Sequence, residues 1–477
     1  MENENGKTVK KNTGSFRDKI STVDEQGKRA WIYPKKPKGR RYNQRKVVAG
    51  FLLTLLFVLP WIRYEGEPFM LFNIFQRKFI FFGQPFWPQD FHLVVVGIIT
   101  FIVFVILFTV IFGRLFCGWA CPQTLFMEFL FRQVEYLVEG DAQQQKRLNR
   151  QVWDFDKIWR KLLKYTLFFL ISFAIAATFF AYIVGTDRVM QIVAGGPLIH
   201  PKGFIALMAF TGIIYFIYAY FREQVCLIVC PYGRLQGVLL DNKSVVVAYD
   251  YKRGEPRGKQ NKPGDGTAES QRGDCIDCNN CVVVCPTGID IRNGTQLECI
   301  NCTACMDACD AVMLRVKKPK GLIRYSSETA IAEGKGNIFN ARAMAYSAFL
   351  TLLLILLVSL FSLRTEVEAT ILRVPGTMFQ EYGPESYSNV YKIQLVNKTR
   401  KDLPVELKLE NGEGKVLLMG EPLVVEGSKV VESNFLLVKP KTSLSSSNTP
   451  VVIGVYSDGE QIESFRTTFI GPNSLDK

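Results

Sequence analysis

The stretch Cys275-Ile-Asp-Cys278-Asn-Asn-Cys281-Val-Val-Val-Cys285-Pro286, with Cys299-Ile-Asn-Cys302-Thr-Ala-Cys305-Met-Asp-Ala-Cys309 close behind it, decides how this chain is read. Each run offers three thiols at intervals of three residues and a fourth thiol four residues further on. Three thiolates so spaced wrap three corners of a cubane [4Fe–4S] cluster from one short loop, and the fourth reaches across to the other cluster. The spacing therefore predicts one cluster on Cys275, Cys278, Cys281 and Cys309, and a second on Cys299, Cys302, Cys305 and Cys285. Zinc sites draw on two ligand pairs rather than a triplet plus one, which argues against zinc. Asp310 stands where the second run of a ferredoxin usually carries proline, a change that removes no ligand.

Outward from this block the chain is apolar in long runs. Hydrophobic residues make up 48% of its 477 positions. Five stretches, near 47–64, 92–116, 163–184, 203–221 and 342–363, are long enough to cross a hydrocarbon core of about 30 Å. Leu93–Phe112 contains no charged residue, which does not suit a core helix of a water-soluble protein. The net charge of +14 is concentrated in the first 46 residues and beside certain apolar runs. That is the orientation bias of membrane proteins, and nucleic acid is not an expected partner. The N-terminal segment, the 114–164 connection and the 222–342 connection are expected on the cytoplasmic side, and residues 364–477 on the periplasmic side of a bacterial inner membrane. Residues 1–46 are hydrophilic and no small-residue cleavage site follows the first apolar run, so no cleaved leader is expected.

The fold class expected is thus an α-helical transmembrane bundle of about five spans, with an inserted cytoplasmic ferredoxin-like domain and a C-terminal immunoglobulin-like β-sandwich. The domain reading is 1–46 basic segment, 47–250 four-span region, 251–325 linker and two-cluster domain, 326–363 return segment and fifth span, and 364–477 sandwich. Residues 251–273 are Gly, Pro and charge, the composition of a linker. In the tail, Val390–Val396, Val405–Leu409, Val424–Val431 and Val451–Tyr456 have strand composition and are separated by Gly, Asn, Asp and Ser. A barrel would give the same pattern; a sandwich is favoured.

Four further cysteines form Cys117-Gly-Trp-Ala-Cys121-Pro122 and Cys226-Leu-Ile-Val-Cys230-Pro231. An i, i+4 spacing puts both sulfurs of a pair on one helix face. A continuous helix from His92 reaches Cys117 after about 38 Å, and one from Gly203 reaches Cys226 after about 35 Å, so both pairs emerge at the same membrane face as the clusters. Gly113-Arg114 precedes one pair and Arg222 the other, the mark of a two-span repeat. Small buried cysteines at helix ends would look alike one at a time. Two matching pairs at matching depth point instead to a shared metal or redox site, and four soft thiolates suit Cu(I) or another iron–sulfur cluster. His92 and His200 fall at the opposite interface, where a copper or axial haem role competes with simple solvation.

With both Cys-x-x-x-Cys-Pro motifs and the double ferredoxin block in place, the chain resembles the cytochrome oxidase accessory protein family known as CcoG, FixG or RdxA. Supporting stretches are Val23-Asp-Glu-Gln-Gly-Lys-Arg, Tyr33-Pro-Lys-Lys-Pro-Lys-Gly, Phe86-Trp-Pro-Gln-Asp-Phe-His92, Phe112-Gly-Arg-Leu-Phe-Cys-Gly-Trp-Ala-Cys-Pro-Gln-Thr124 and Lys318-Pro-Lys-Gly-Leu-Ile-Arg-Tyr325. The resemblance implies a cupric reductase that supplies Cu(I) for a cbb-type haem–copper oxidase. It implies partners among oxidase subunits or assembly factors, and an electron donor of unknown identity. Copper comes from this resemblance alone. The competing functions are an electron conduit to another acceptor and an oxidase assembly scaffold.

Overall fold

The computed structural model describes residues 22, 26, 28–75, 78–87, 90–258, 272–334 and 341–472, apart from positions 366, 375, 377, 400, 421, 422, 428, 445 and 458. Much of the N-terminal basic segment, part of the stretch beginning at Val23, positions 88 and 89, and linker residues 259–271 lie outside the described residues.

Among the described residues five helices are long and apolar enough to cross a membrane: Arg40–Trp61, Phe91–Phe112, Phe155–Val184, Pro201–Phe221 and Ala341–Ser362. A span of 22 residues, as in the second and fifth, rises about 33 Å, enough for the hydrocarbon core. Their outward faces carry Phe101, Ile102, Phe104, Leu352, Ile355 and Val358, all exposed, a surface that suits lipid.

Three boundaries differ from the hydropathy reading, each for a local reason. The first span begins at Arg40, because the Asp307 carboxylate accepts the backbone N–H of Arg41 (3.2 Å) and Tyr42 (2.8 Å) and caps a turn of charged residues ahead of the apolar run. Gly39 lets that carboxylate approach where any Cβ would collide with it. The third begins at Phe155, where the Asp154 side chain caps the Lys157 N–H at 2.9 Å. The second ends at Phe112, because Gly113 turns left-handed at φ +57°. The connection near 185–202 is largely helix (Thr186–Ile199), broken at Gly196.

The chain divides into two compact units, Met1–Ile74 with Val94–Ile355, and Phe75–Leu93 with Leu356–Lys477. In the first, the spans pack through Phe131, Phe168, Ile175, Leu207, Ile214 and Tyr218. Phe131 stacks on Tyr218 with ring centroids 4.4 Å apart and meets Phe168 edge-on at 4.9 Å. The cysteine-rich block is closed by an antiparallel pair, Val246–Tyr249 with Ile323–Ser326. Val247, Tyr249 and Ile323 from this pair, with Leu322 just before it, form a small core with Cys281, Ile291, Met306 and Val312.

In the second unit two antiparallel sheets face each other. One orders Lys415–Leu418, Val430–Pro440, Ser386–Asn397 and Val367–Arg373; the other orders Leu423–Val425, Leu403–Leu409, Asn448–Ser457 and Glu460–Ile470. Alternation along Ser386–Asn397 buries Tyr391, Ile393 and Leu395 against Val405, Val451, Ile453, Val455 and Phe469. The result is a sandwich, not a barrel. One strand reading is corrected: Val424–Val431 straddles two strands, Leu423–Val425 and Val430–Pro440, which a turn separates. Asp402 accepts the Gly427 N–H in that turn at 2.9 Å.

Asp90, buried in this unit, accepts Nζ of Lys398 and Nη2 of Arg364 at 2.7 Å each. Burial pushes its pKa up, but the hydrogen bonds from Lys398 and Arg364 and their charges outweigh it and hold the carboxyl below its usual value. Such a group binds fewer protons folded than unfolded, so its stabilisation is full above the unfolded pKa of about 4 and is lost as pH falls through the folded one. Hydrogen exchange in the Ser386–Asn397 strand is expected to be faster in Asp90→Asn than in the parent at neutral pH, the two converging below about pH 4. A gap that persists unchanged into acid would refute this.

Candidate metal centres

The two cysteine runs fold as near copies. In Cys275–Cys281 the residues two and four places after the first cysteine, Asp277 and Asn279, take φ of +53° and +56°; in Cys299–Cys305 the equivalent Asn301 and Thr303 take +53° and +64°. Left-handed backbone at four non-glycine residues costs about 1–3 kcal/mol each and persists only where the surroundings demand it. Here it curls each loop around a hollow. The helices Asn280–Val283 and Ala304–Arg315 then carry Cys281, Cys305 and Cys309.

Two cavities result. Cys275, Cys278, Cys281 and Cys309 line one of about 360 Å³, with Tyr249 and Arg292. Cys285, Cys299, Cys302 and Cys305 line the other, about 340 Å³, and Cys281 also reaches its wall. Each run thus contributes its first three thiols to one cavity and its fourth to the other.

The surroundings of the two cavities differ in charge. Arg292 beside the first is fully engaged: it donates to Asp290 at 2.6 and 2.8 Å and also to Asp277 and Asn279. Cys278 is exposed. Around the second, buried donors lack partners among the described residues: Asn301 Nδ2, Thr303 Oγ1, Arg45 Nη1 and Nη2, and Arg114 Nη1. Burial pushes the Cys299 thiol up to about 12 and that of Cys302 up to about 11. Thiols so buried ionise when a metal core takes up their charge. Unpartnered N–H and O–H groups around such a hollow fit a sulfide-rich, anionic group.

The membrane-edge cysteines are arranged differently from the expectation. Cys117 lies in a separate short helix, Leu115–Trp119, and Cys121 is extended (ψ 123°) ahead of Pro122, which starts the next helix. Cys226 lies in a π-helical turn, Val225–Val229, and Cys230 is extended (ψ 112°) ahead of Pro231. The reading of each pair on one face of a continuing helix is therefore corrected. Gly113 at φ +57° and Arg222 at +53° stop the spans, and proline at the first helical position restarts the chain in a new direction. The two-fold repeat of the sequence survives in this break–cysteine–proline geometry.

The two halves are tied by Arg114. Its Nε donates to Gln236 Oε1 at 2.7 Å and Nη2 to the Gly233 carbonyl at 2.9 Å, both in the helix Pro231–Leu239 that follows the second pair. The Cys117 thiol donates to the same Gln236 oxygen at 3.3 Å. All four thiols feel one another: the Cys226 thiol is pushed up to about 12 by burial and then by Cys121, Cys117 and Cys230. Burial raises Cys117 to about 11, against the pull of Arg114.

This thiol group also abuts the second cavity. Gly118, inside Cys117–Cys121, packs so closely that a Cβ there would lie 3.1 Å from Cys302 Cα and nearer still to the Ile300 carbonyl oxygen. Arg45 Nε donates to the Gly118 carbonyl at 2.5 Å. A third hollow of about 320 Å³ lies alongside, walled by Cys226, Met127, Glu128, Arg132, Glu223 and Pro286. His92 and His200 do not join in: among the described residues no three His, Cys, Asp or Glu side chains are grouped to hold a single metal ion.

Sequence reasoning passed over the buried charge beneath these loops. Arg132 pairs with Glu128 and, at 3.5 Å, with Glu223; Arg222 pairs with Glu135, and Lys164 with Glu135 and Glu139 at 3.3 and 3.2 Å. The signal available was acidic residues among the arginines of the 114–164 connection, spaced Glu128-x-x-x-Arg132.

Membrane-length helices joined to two thiol-lined cavities define a membrane iron–sulfur electron-transfer protein. Residues 221–328 match the model of a 4Fe-4S dicluster domain, residues 93–139 that of a 4Fe-4S binding domain, and residues 357–472 that of the IG-like fold at the C-terminus of FixG. The chain is 35% identical to Protein RdxB of Cereibacter sphaeroides over 83% of its length and 86% of the relative's. It is 33% identical to Protein RdxA of the same organism, covering 80% and 83%. To the Nitrogen fixation protein FixG of Rhizobium meliloti it is 31% identical, covering 87% of both. The chain belongs to the FixG/RdxA family.

Proposed function

We propose that this protein is a membrane cupric reductase that delivers Cu(I) for assembly of a cbb-type haem–copper oxidase. In this reading Cys275, Cys278, Cys281 and Cys309 hold one [4Fe–4S] cluster, and Cys285, Cys299, Cys302 and Cys305 the other. Bound there, such clusters supply electrons singly, as the change from Cu(II) to Cu(I) requires. Cys117, Cys121, Cys226 and Cys230, which are not gathered around a single ion in the structure, close on the copper as it arrives, their soft sulfurs favouring the reduced ion. The N-terminus and the cluster domain face the cytoplasm, as the Lys and Arg distribution favours, and the C-terminal sandwich faces the periplasm, where it docks oxidase subunits or assembly factors.

The observation that carries this reading is the contact at Gly118. It sets the turn between Cys117 and Cys121 directly against the Cys302 loop, so the four-thiol group and the second cavity are neighbours. The chain's own residues bind and orient: Arg114 and Gln236 clamp the two cysteine pairs together.

The double replacement of Cys226 and Cys230 by serine is expected to leave about eight irons per chain and to abolish reduction of added Cu(II) by the dithionite-reduced, anaerobic protein. The test follows the Cu(II) EPR signal and the cluster absorbance together. Persisting copper reduction in the variant would place the copper site elsewhere, and a parent protein that holds its iron but passes no electron to Cu(II) would favour the conduit reading. Loss of iron would assign these cysteines to structure. A cluster-free variant that still supports oxidase maturation in cells would favour the scaffold.

A further inference from the structure

Arg45 is wholly buried. Its Nε is bound to the Gly118 carbonyl, while Nη1 and Nη2 have no hydrogen-bond partner among the described residues. It forms no ion pair there either; beyond Gly118 its neighbour is the Phe129 ring, 5.2 Å from the guanidinium carbon. Guanidinium does not lose its proton in proteins, so this is a permanent buried charge without a carboxylate. Unpaired buried charges are costly, and one that persists is balanced by something anionic nearby. The candidates are the thiols of the second cavity, which turn anionic when they take up a metal core. Gly118, whose carbonyl Arg45 holds at 2.5 Å, packs directly against the Cys302 backbone.

The first cavity offers a contrast. Its guanidinium, Arg292, is neutralised by Asp277 and Asp290. Near the second, Glu128 lies in the hollow walled also by Ile300, and Arg132 occupies that carboxylate.

We propose that Arg45 is a positioning residue that raises the reduction potential of the cluster held by Cys285, Cys299, Cys302 and Cys305 and leaves the other cluster unaffected. Reduction adds negative charge to the cluster, so a fixed positive charge beside it stabilises the reduced form. Arg292, beside the other cluster, is paired with two carboxylates, which offset its charge. This rests on the cluster reading and not on the copper reading.

The test is an EPR-monitored redox titration of the full-length protein, purified anaerobically in detergent, as parent, Arg45→Met and Arg45→Lys. Iron content is measured on each preparation. In Arg45→Met one of two waves is expected to move to lower potential, with at least a tenfold loss of reduced over oxidised cluster at fixed ambient potential, about 59 mV for one electron. The other wave stays, and Arg45→Lys restores most of the shift. If Arg45→Met does not retain iron, Arg45→Gln, which keeps a donor for the Gly118 carbonyl, is expected to show the same shift. Two unmoved waves at full iron content, or two waves displaced equally, would overturn the proposal. A parent protein that binds no iron would overturn the cluster reading beneath it, and the iron analysis reveals that separately.

Discussion

Replacing Gly118 by alanine is expected to halve the iron content of the chain, from about eight atoms to about four. A methyl group at this position meets the Ile300 carbonyl oxygen and Cys302 Cα, which are backbone atoms of the loop that lines the second cavity. Neither can swing aside as a side-chain end would. The loop must move, and with it Cys299, Cys302 and Cys305, or else the Cys117–Cys121 turn must lift away and release its hydrogen bond to Arg45. Overpacking a well-filled core costs about 1–3 kcal/mol, and against rigid backbone the upper end applies. The cavity of Cys275, Cys278, Cys281 and Cys309 lies away from this contact and should keep its group. Iron and sulfide analysis with EPR of the reduced protein reads the result: one cubane signal lost, one retained. Full iron with an unchanged spectrum would mean that the contact is looser than it looks, and it would remove the observation on which the proposed route to copper rests.

The cysteine block was legible because its chemistry leaves little choice of spacing. A loop that presents three thiolates to one cubane repeats every third residue, and the fold adds what spacing cannot state, such as the left-handed turns at Asp277, Asn279, Asn301 and Thr303. The spans were legible as composition, since lipid imposes length and apolarity together. Their ends were not: whether a helix stops at Phe112 or runs on to Cys117 depends on the φ that Gly113 adopts, and hydropathy is blind to it. The same blindness placed each Cys-x-x-x-Cys pair on a single helix. Strand existence in the tail followed from Val-rich alternation, but the turn at Glu426–Lys429 lies between two valine-rich runs and vanished into them. Least legible were the buried charges. A sequence counts Arg45 and Arg132 as flanking positive charge, which orients helices. Only the packing reveals that both are almost wholly shut away from solvent, one without a carboxylate and one between two.

Arg132 gives the second large effect. Its guanidinium is buried between Glu128 and Glu223, and its Nη2 also donates to the Pro286 carbonyl at 3.0 Å, just past Cys285 of the second cavity. A buried pair of this kind contributes little relative to well-packed apolar residues, because desolvation offsets attraction, but breaking it strands the remaining charge. Arg132→Met is therefore expected to destabilise the chain by about 3–5 kcal/mol. Glu128 would lose its cation, and Glu223 would keep only Arg29, 3.6 Å away. Membrane proteins of this size often unfold irreversibly, so the sensible observable is the rate at which cluster absorbance decays on heating in detergent. Adding Glu128→Gln to Arg132→Met should recover part of the loss at neutral pH, since an uncharged amide replaces the stranded carboxylate. A double variant no better than the single one would show that Arg132 acts through the Pro286 carbonyl, by holding the cluster loop, and not through its charge.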